Sequence, residues 1–355
     1  MDKVEYFVIT LINKNKLSDK TERWGIVLET FKDVIGREQV VQHLKEAVRT
    51  NQVSHAYIFC GEDGIGKNFV AGIFAAALQC EKHDGEPCCQ CKSCIQAASG
   101  NHPDIIRVLH GKASIGVDDI RNQLNNDIQV KPYSSRYKIY LIDEAEKLTE
   151  AAQNALLKTI EEPPEYAVIM LLTNNINTFL PTILSRCITL NLKTVDNGRI
   201  KEYLMDNCHI PDYQAELSAA FSGGNLGKAI KYASSEDFAR RKEEVIQLVK
   251  HIDHMKKNEI MDYLKHLAED KAAIHDYLDL LFLWYSDVLQ FKATKNTQQV
   301  IYKEELFTIQ KQAAYKSFEA LNDIMESFNT VRARLNANVN FDTAIELFLF
   351  ALQAK

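Results

Sequence analysis

The chain has 355 residues, of which 46% are hydrophobic and 25% are charged. This composition is typical of a folded protein of two or three domains and excludes an intrinsically disordered chain. Its 48 acidic and 42 basic side chains give a formal net charge of −6, which argues against a protein that binds polyanions through bulk charge alone.

Residues 1–30 contain one apolar stretch, at positions 4–12, which is interrupted by Glu5 and followed by Lys14 and Lys16. A secretory signal would place its positive charges before the apolar stretch and small residues after it. We therefore expect an N-terminal extension of unknown role, with a translation start near Phe31 as the alternative. No apolar run reaches the roughly 20 residues that span a bilayer, so we expect a cytoplasmic protein with no membrane partner.

Short apolar strands alternate with amphipathic helices over residues 31–193, which predicts an α/β domain built around a mostly parallel sheet. Apolar residues at helical spacing predict a helix over residues 38–50. The continuous apolar run at 56–60 predicts a buried strand, and two further buried strands are predicted at 139–142 and 168–172.

A glycine-rich loop at residues 61–68 joins the strand at 56–60 to a helix, the order that a phosphate-binding loop requires. Gly61, Gly64 and Gly66 would let backbone N–H groups close around phosphate oxygens, and Lys67 would reach the terminal phosphates. Asn68 stands where Ser or Thr normally ligates magnesium. The loop therefore predicts ATP binding with the Mg²⁺ ligand altered, and the alternative is a glycine turn with a surface lysine.

Five of the eight cysteines lie between residues 80 and 94. Cys80, Cys88, Cys91 and Cys94 offer four thiolates, three of them at the two-residue spacing that surrounds a tetrahedral ion. Soft sulfur ligands favour structural zinc, with an iron–sulfur centre or disulfides as the alternatives. Cys89 is a fifth thiol, either an inert neighbour or an alternative ligand.

Polar residues follow the two later strands. Asp143 would hold magnesium and Glu144 would orient the attacking water, as acids at the end of a buried strand do in nucleotide hydrolases. Thr173 and Asn174 end the next strand, where a polar side chain can sense the terminal phosphate. Read in isolation, an asparagine at that position is a turn former.

The alternation of strands and helices ends after Leu192. A helical stripe over residues 148–160 must end before Pro163, because proline disfavours helix at the residue that precedes it. Residues 194–237 predict a small helical lid, and residues 238–355 predict an all-α domain.

Several longer stretches of the sequence resemble the clamp-loader AAA+ family of bacterial DNA polymerase III, and a weaker resemblance reaches the C-terminus. The stretches that carry it are Asp33-Val34-Ile35-Gly36, Ser54-His55-Ala56-Tyr57, the phosphate loop, the cysteines, His102-Pro103-Asp104, Gly116-Val117-Asp118-Asp119-Ile120-Arg121, residues 154–164 and Leu184-Ser185-Arg186-Cys187. Residues 116–121 look more like the delta-prime branch than the gamma/tau motor branch. The resemblance implies a P-loop AAA+ domain with a four-cysteine zinc insertion, a helical lid and a C-terminal collar through which subunits oligomerise.

The resemblance also implies a role for Arg186, which we expect to follow the sheet. It would be an arginine finger, donated in trans to ATP held by a neighbouring motor subunit. In motor-type relatives a second sensor arginine lies near position 227, where this chain has Gly227. With Asn68, this leaves two catalytic groups missing.

The implied function is that of a subunit with little or no ATPase activity of its own. It would assemble with gamma/tau and delta subunits and act, through the complex, on the sliding clamp and primer–template DNA. A gamma/tau-like motor that hydrolyses ATP is the alternative, favoured by Lys67, Asp143 and Glu144. A free-standing zinc-stabilised nucleotide switch is a third hypothesis for the whole protein. For Arg186 alone, without the resemblance, the alternative to an arginine finger is a solvated surface charge.

Overall fold

A computed structural model describes residues 29–111, 114–269, 271–337 and 339–353. The extension expected at residues 1–30 lies outside them, apart from its last two residues. The chain divides into two compact units, Met1–Ala233 and Ser234–Lys355.

The described part of the first unit contains the strands β1 (Ala56–Cys60), β2 (Ile105–Val108), β3 (Lys138–Ile142), β4 (Ala167–Thr173) and β5 (Ile188–Asn191). Its α-helices are α1 (Glu38–Thr50), α2 (Lys67–Gln79), α3 (Lys92–Ala98), α4 (Val117–Ile120), α5 (Glu150–Glu161), α6 (Pro181–Leu184), α7 (Asn197–Cys208), α8 (Asp212–Phe221) and α9 (Leu226–Ser234). Short 3₁₀ turns lie at Phe31–Asp33, Ala145–Lys147 and Ile176–Thr178, and a π turn at Arg121–Asn125 continues α4.

The strands form one parallel sheet in the order β2-β3-β4-β1-β5. All carboxyl ends of a parallel sheet face the same edge, which is where ligands bind in folds of this kind. The glycine-rich loop after β1, the acids after β3 and the end of β4 therefore meet at this edge.

Side chains of each strand alternate between two cores, one on each face of the sheet. In β1, Tyr57 and Phe59 pack into the core that α1 and α2 cover. Ala56 and Ile58 pack into the opposite core, with α4 and α5. Because both faces are covered, the central strands β3 and β4 are buried throughout and read as continuous apolar runs.

The helix predicted at 38–50 is confirmed, as are the buried strands predicted at 56–60, 139–142 and 168–172, within one residue at each end. The stripe over 148–160 forms α5, which begins at the N-cap Thr149 and ends before Pro163. The expectation that Arg186 follows the sheet is wrong. Strand β5 comes directly after Arg186, so this residue lies inside the α/β architecture.

The helices α7, α8 and α9 enclose a small core of their own, which includes Ile200, Leu204 and Ala229. The described part of the second unit is helical, with α10 (Glu236–His251), α11 (Lys257–Glu269), α12 (Ile274–Thr294), α13 (Leu306–Tyr315), α14 (Phe318–Asn336) and α15 (Phe341–Ala351). Three 3₁₀ turns join them, at Ile252–His254, Lys271–Ala273 and Lys303–Glu305. Trp284 and Tyr285 of α12 are fully buried, and each such side chain contributes roughly 1.5–3 kcal/mol to folding.

Candidate phosphate site and cysteine cluster

The loop between β1 and α2 has the shape of a phosphate cradle. Gly64 and Gly66 adopt φ angles of +79° and +99°, which favour glycine, and α2 begins directly after them at Lys67. The side chain of Lys67 is 8% exposed and folds back into the loop. Its Nζ donates to the carbonyl oxygens of Gly61 at 2.6 Å and Glu62 at 3.1 Å, and pairs with a carboxylate oxygen of Asp63 at 3.1 Å.

A second basic side chain, Arg37, contacts the phosphate loop. It is 6% exposed, and its guanidinium donates to the carbonyl oxygen of Ile65. Burial lowers the pKa of Arg37, and its Nε has no hydrogen-bond partner among the described residues. A buried cation therefore lies beside the loop in addition to Lys67.

Asn68 links Asp143, which directly follows β3, to Arg107 of β2. Its Nδ2 donates to Oδ2 of Asp143 at 2.6 Å, and its Oδ1 accepts from a guanidinium nitrogen of Arg107 at 3.1 Å. The other oxygen of Asp143 accepts the backbone N–H of Glu144 at 3.0 Å. Magnesium requires free oxygen ligands in octahedral geometry. Each oxygen of Asp143 keeps a further lone pair, but Asn68 turns its Nδ2 toward Asp143 and its one side-chain oxygen toward a guanidinium. Residue 68 therefore offers a magnesium ion no free oxygen, and the residues present fit that ion poorly.

Glu144 is held in ion pairs. It adopts a left-handed conformation with φ of +49°, and its Oε2 lies 2.7 Å from Nζ of Lys147 and 3.2 Å from Nε2 of His110. A carboxylate that orients an attacking water needs a free oxygen turned toward it. In this arrangement Oε2 of Glu144 is engaged by Lys147 and His110, which leaves only Oε1 for such a water.

The polar end of β4 contacts the loop and the neighbouring turn. Nδ2 of Asn174 donates to Oδ2 of Asp63 at 3.1 Å, which places this amide at the phosphate loop. The hydroxyl of Thr173 instead donates to Oε2 of Glu146 at 3.0 Å. The two side chains therefore have different partners, although the backbone N–H of Asn174 also donates to Oε2 of Glu146, at 3.3 Å.

The helix α9 rests directly on the phosphate loop. The backbone N–H of Gly227 donates to the carbonyl oxygen of Gly64 at 3.1 Å, and Nδ2 of Asn225 donates to the carbonyl oxygen of Asp63 at 2.9 Å. A Cβ atom at position 227 would lie 2.3 Å from that Gly64 oxygen. No side chain fits there, so Gly227 permits the close contact as well as lacking the sensor arginine.

The four predicted cysteine ligands come together after α2. The sulfur atoms of Cys80, Cys88, Cys91 and Cys94 all lie within 4.8 Å of one another. Tetrahedral coordination with bonds of about 2.3 Å places sulfur atoms about 3.8 Å apart, so this group fits a metal ion. Backbone N–H groups donate to three of the sulfurs at 3.3–3.4 Å, which favours thiolates.

Cys89 lies outside the four-sulfur group. It adopts a φ of +57°, and its thiol donates to the carbonyl oxygen of Pro87 at 3.5 Å. Burial, together with the neighbouring thiols and acids, raises the pKa of Cys89 to about 11. It is therefore a protonated neighbour of the cluster.

Arg186 lies between α6 and β5 with 39% of its side chain exposed. Its guanidinium pairs with Glu161 at 3.1 Å and donates to the carbonyl oxygen of Thr182 at 3.0 Å and the hydroxyl of Ser185 at 3.3 Å. None of its hydrogen bonds or ion pairs with described residues involves the phosphate loop of its own chain.

Three residues of the site were missed by the sequence analysis. Arg107 is the single cation of a short edge strand, Arg37 precedes a helix, and Asn225 lies in a glycine-rich turn. None belongs to a motif, and only Asn225 carried a signal, because it follows Gly223 and Gly224 within the predicted helical lid.

Together the parallel sheet, the loop after β1 and the acid after β3 define a P-loop nucleotide-type domain with a helical lid. Two family models match successive parts of the chain. The model described as "DNA polymerase III, delta subunit" matches residues 36–196, and the one described as "DNA polymerase III, delta subunit, C terminal" matches residues 235–353. The chain belongs to the family of clamp-loader subunits of DNA polymerase III.

Curated relatives include both kinds of subunit. The chain is 29% identical to DNA polymerase III subunit delta' of Bacillus subtilis over 89% of its own length and 95% of that protein. It is 40% identical to subunit tau/gamma of Haemophilus influenzae over 50% of its length, and 37% identical to subunit tau of Escherichia coli over 57%. It covers only 25% and 32% of those two longer proteins. Across the described residues, no helix is long and apolar enough to span a membrane.

Proposed function

We propose that this chain is a delta-prime-like subunit of the replicative clamp loader. It assembles with gamma/tau and delta subunits and places Arg186 beside ATP that a motor subunit holds. The guanidinium neutralises charge that develops on the transferred phosphoryl group. Through the complex, the chain contributes to ATP-driven loading of the sliding clamp on primer–template DNA during replication.

The hydrogen bond between Asn68 and Asp143 is the observation that carries this proposal. It joins the two positions that hold magnesium in a hydrolysing P-loop site, and Glu144 is occupied by Lys147 and His110. Arg186, in contrast, is partly exposed and has only partners that an incoming phosphate could replace. The chain thus has changed residues where a hydrolysing subunit holds magnesium, and it retains Arg186 as a cation suited to a neighbour's site.

Steady-state ATP hydrolysis by the isolated chain is the first test. We expect turnover far below about 1 per second, the lower end of ordinary enzyme rates. Turnover above that value, lost in Lys67→Ala, would overturn the proposal in favour of a motor subunit.

The second test removes the arginine from a reconstituted loader. Arg186→Ala should lower ATP hydrolysis by roughly 10³-fold or more, the scale of arginine-finger losses. Arg186→Lys keeps the charge but loses the planar fork of donors, so most of the loss should persist. Arg136→Ala is the matched control, because Arg136 is also exposed and its recorded contact is with the ring of Tyr137. Equal activity of the Arg186 and Arg136 variants would assign Arg186 to the surface.

A gamma/tau-like motor is the second candidate function. It is favoured by the retained Lys67 and Asp143 and by the higher identity to tau/gamma proteins over the first half of the chain. Asn68 and Gly227 count against it.

We also propose that the four-cysteine group binds structural zinc. Four sulfur ligands fill a tetrahedral ion completely and leave no position for a substrate, so this metal would shape the insertion after α2 without taking part in chemistry.

A further inference from the structure

Arg107 carries a positive charge into the region where a P-loop protein normally holds its metal. It lies in β2, beside β3, which ends at Ile142, one residue before Asp143. Among the described residues the one hydrogen bond of its side chain is to Oδ1 of Asn68, and no carboxylate forms an ion pair with it. A guanidinium has five donors, so at least three of the donors of Arg107 remain for another acceptor.

The hydrogen bonds that connect Arg107, Asn68 and Asp143 differ from the contacts of a magnesium site in where the positive charge comes from. In a magnesium site, oxygen atoms point at a cation held between protein and phosphate. Here the amide of Asn68 donates to Asp143 and so satisfies the carboxylate without a metal. The positive charge comes from Arg107, a residue of the protein that contacts the other end of the Asn68 amide, and not from a bound metal ion.

We propose that the phosphate loop of this chain binds the phosphates of a nucleotide without a divalent metal ion, with Arg107 in the place of magnesium. Arginine binds phosphate through two parallel hydrogen bonds, so it can neutralise oxygens that magnesium would otherwise bridge. Lys67, once it exchanges its contacts within the loop for phosphate oxygens, completes the cradle together with the backbone N–H groups before α2.

This inference rests on the proposed function in one respect, that the chain does not itself turn over ATP. Arginine neutralises a polyphosphate but cannot lower the pKa of a water as a metal does. A metal-free site therefore suits a subunit that keeps its nucleotide while its neighbour hydrolyses.

Isothermal titration of the full-length chain tests the inference, with ATP, ADP and inorganic tripolyphosphate as separate probes, each in Mg²⁺ and in EDTA. We expect wild-type affinity for ATP to change by less than about threefold when Mg²⁺ is replaced by EDTA. Arg107→Ala should weaken binding by about tenfold or more, the scale of one charge-assisted contact. Asn68→Thr, which restores a metal ligand and removes the link to Arg107, should bind at least about tenfold more tightly with Mg²⁺ than with EDTA.

Arg136→Ala controls for loss of one positive charge and should bind as the wild type does. Tripolyphosphate that binds as ATP does would mean that the loop recognises phosphates alone, and binding of ATP and ADP only would mean that the nucleoside contributes. Binding that requires Mg²⁺, an Arg107→Ala variant as tight as the wild type, or no binding by the folded wild type would each overturn the inference. None of these outcomes affects the Arg186 test, which measures hydrolysis by the neighbouring subunit.

Discussion

Asp287 is a carboxylate in the interior of the second unit, 1% exposed. One of its oxygens, Oδ2, accepts the backbone N–H groups of Ile301 at 2.8 Å and Tyr302 at 2.9 Å. Burial raises the pKa of Asp287 to about 6, and these two hydrogen bonds only partly oppose the shift. The folded chain therefore binds a proton here more tightly than the unfolded chain, whose ordinary aspartate pKa is about 4. The contribution of Asp287 to the free energy of unfolding is fully present below pH 4, and it is lost as the pH rises through 6.

We predict that Asp287→Asn stabilises the second unit at pH 7 by up to about 2–3 kcal/mol, because the ionised carboxylate no longer has to be buried. The amide oxygen can still accept both backbone N–H groups. The gain should disappear near pH 4, where the wild-type carboxyl is neutral. Urea unfolding at pH 7 and pH 4 measures the difference between the two proteins.

Asp287→Ala is the control for this prediction. It also removes the charge but leaves the two N–H groups unpaired, so it should destabilise the unit at both pH values. An asparagine variant less stable than the wild type at pH 7 would show that the ionised form is favoured in the folded state.

At the scale of elements, the contact between α9 and the phosphate loop depends on a single glycine. Gly227→Ala places a Cβ atom 2.3 Å from the carbonyl oxygen of Gly64, a backbone atom that cannot move without distorting the loop. We predict a loss of roughly 1–3 kcal/mol, as for other overpacked sites. Hydrogen exchange should become faster in residues 61–66 and 226–234, because the helix must separate from the loop.

Gly72→Ala is the matched substitution. Gly72 lies inside α2 with ordinary backbone angles, and a Cβ atom there meets nothing within 4 Å. It should therefore stabilise the protein by about 0.5–1 kcal/mol through helix propensity. Exchange rates unchanged by Gly227→Ala would mean that the lid does not rest on the loop in solution.

The cysteine insertion is the second element whose order depends on a local interaction. Its helix α3 has Cys91 as the N-cap and contains Cys94, and Ser93 of the same helix contacts Nε2 of His102 at 2.7 Å. The backbone N–H of Asp104 donates to Nδ1 of His102, so Nε2 carries the proton and donates to the serine. A zinc ion on the cysteines would thus stabilise α3, which also contacts His102, shortly before β2.

We predict that the purified chain carries about one zinc ion, measured by elemental mass spectrometry. Cys91→Ser should lose it and expose residues 80–98 to hydrogen exchange, whereas Cys89→Ser should retain it. Zinc-free protein after purification without chelators, or loss of zinc in Cys89→Ser, would contradict the proposed ligand set.

Sequence patterns predicted the interior of the first unit better than its edges. The buried strands β1, β3 and β4 are continuous apolar runs, whereas the edge strands β2 and β5 have only four residues each and include Arg107 and Asn191. The same limit applies to the site. Local motifs identified Lys67 and Asp143, but the link through Asn68 to Arg107 joins positions far apart in sequence and depends on strand order.

At the scale of the whole molecule, the polar groups of the nucleotide site are engaged with one another, while two side chains elsewhere stand out by their exposure to solvent. Lys67, Asn68, Asp143 and Glu144 all have partners within the chain. Arg186 in the first unit is partly exposed, and Phe307 at the start of α13 in the second unit is 81% exposed. Phenylalanine is enriched in the buried centre of subunit interfaces, so we choose Phe307 to test as a contact of the second unit. Under the proposed function, the second unit would make the assembly and the first would complete a neighbour's site.

This division predicts two separable defects in a reconstituted loader. Phe307→Asp should prevent incorporation of the chain, measured by size-exclusion chromatography with the motor subunits, because a charge replaces an apolar contact. Phe307→Leu, which remains apolar, should still assemble. Arg186→Ala should assemble as the wild type does and lose only ATP hydrolysis. If Phe307→Asp assembles normally, the surface around α13 is not the oligomerisation surface, and if Arg186→Ala fails to assemble, Arg186 serves the interface and not the chemistry.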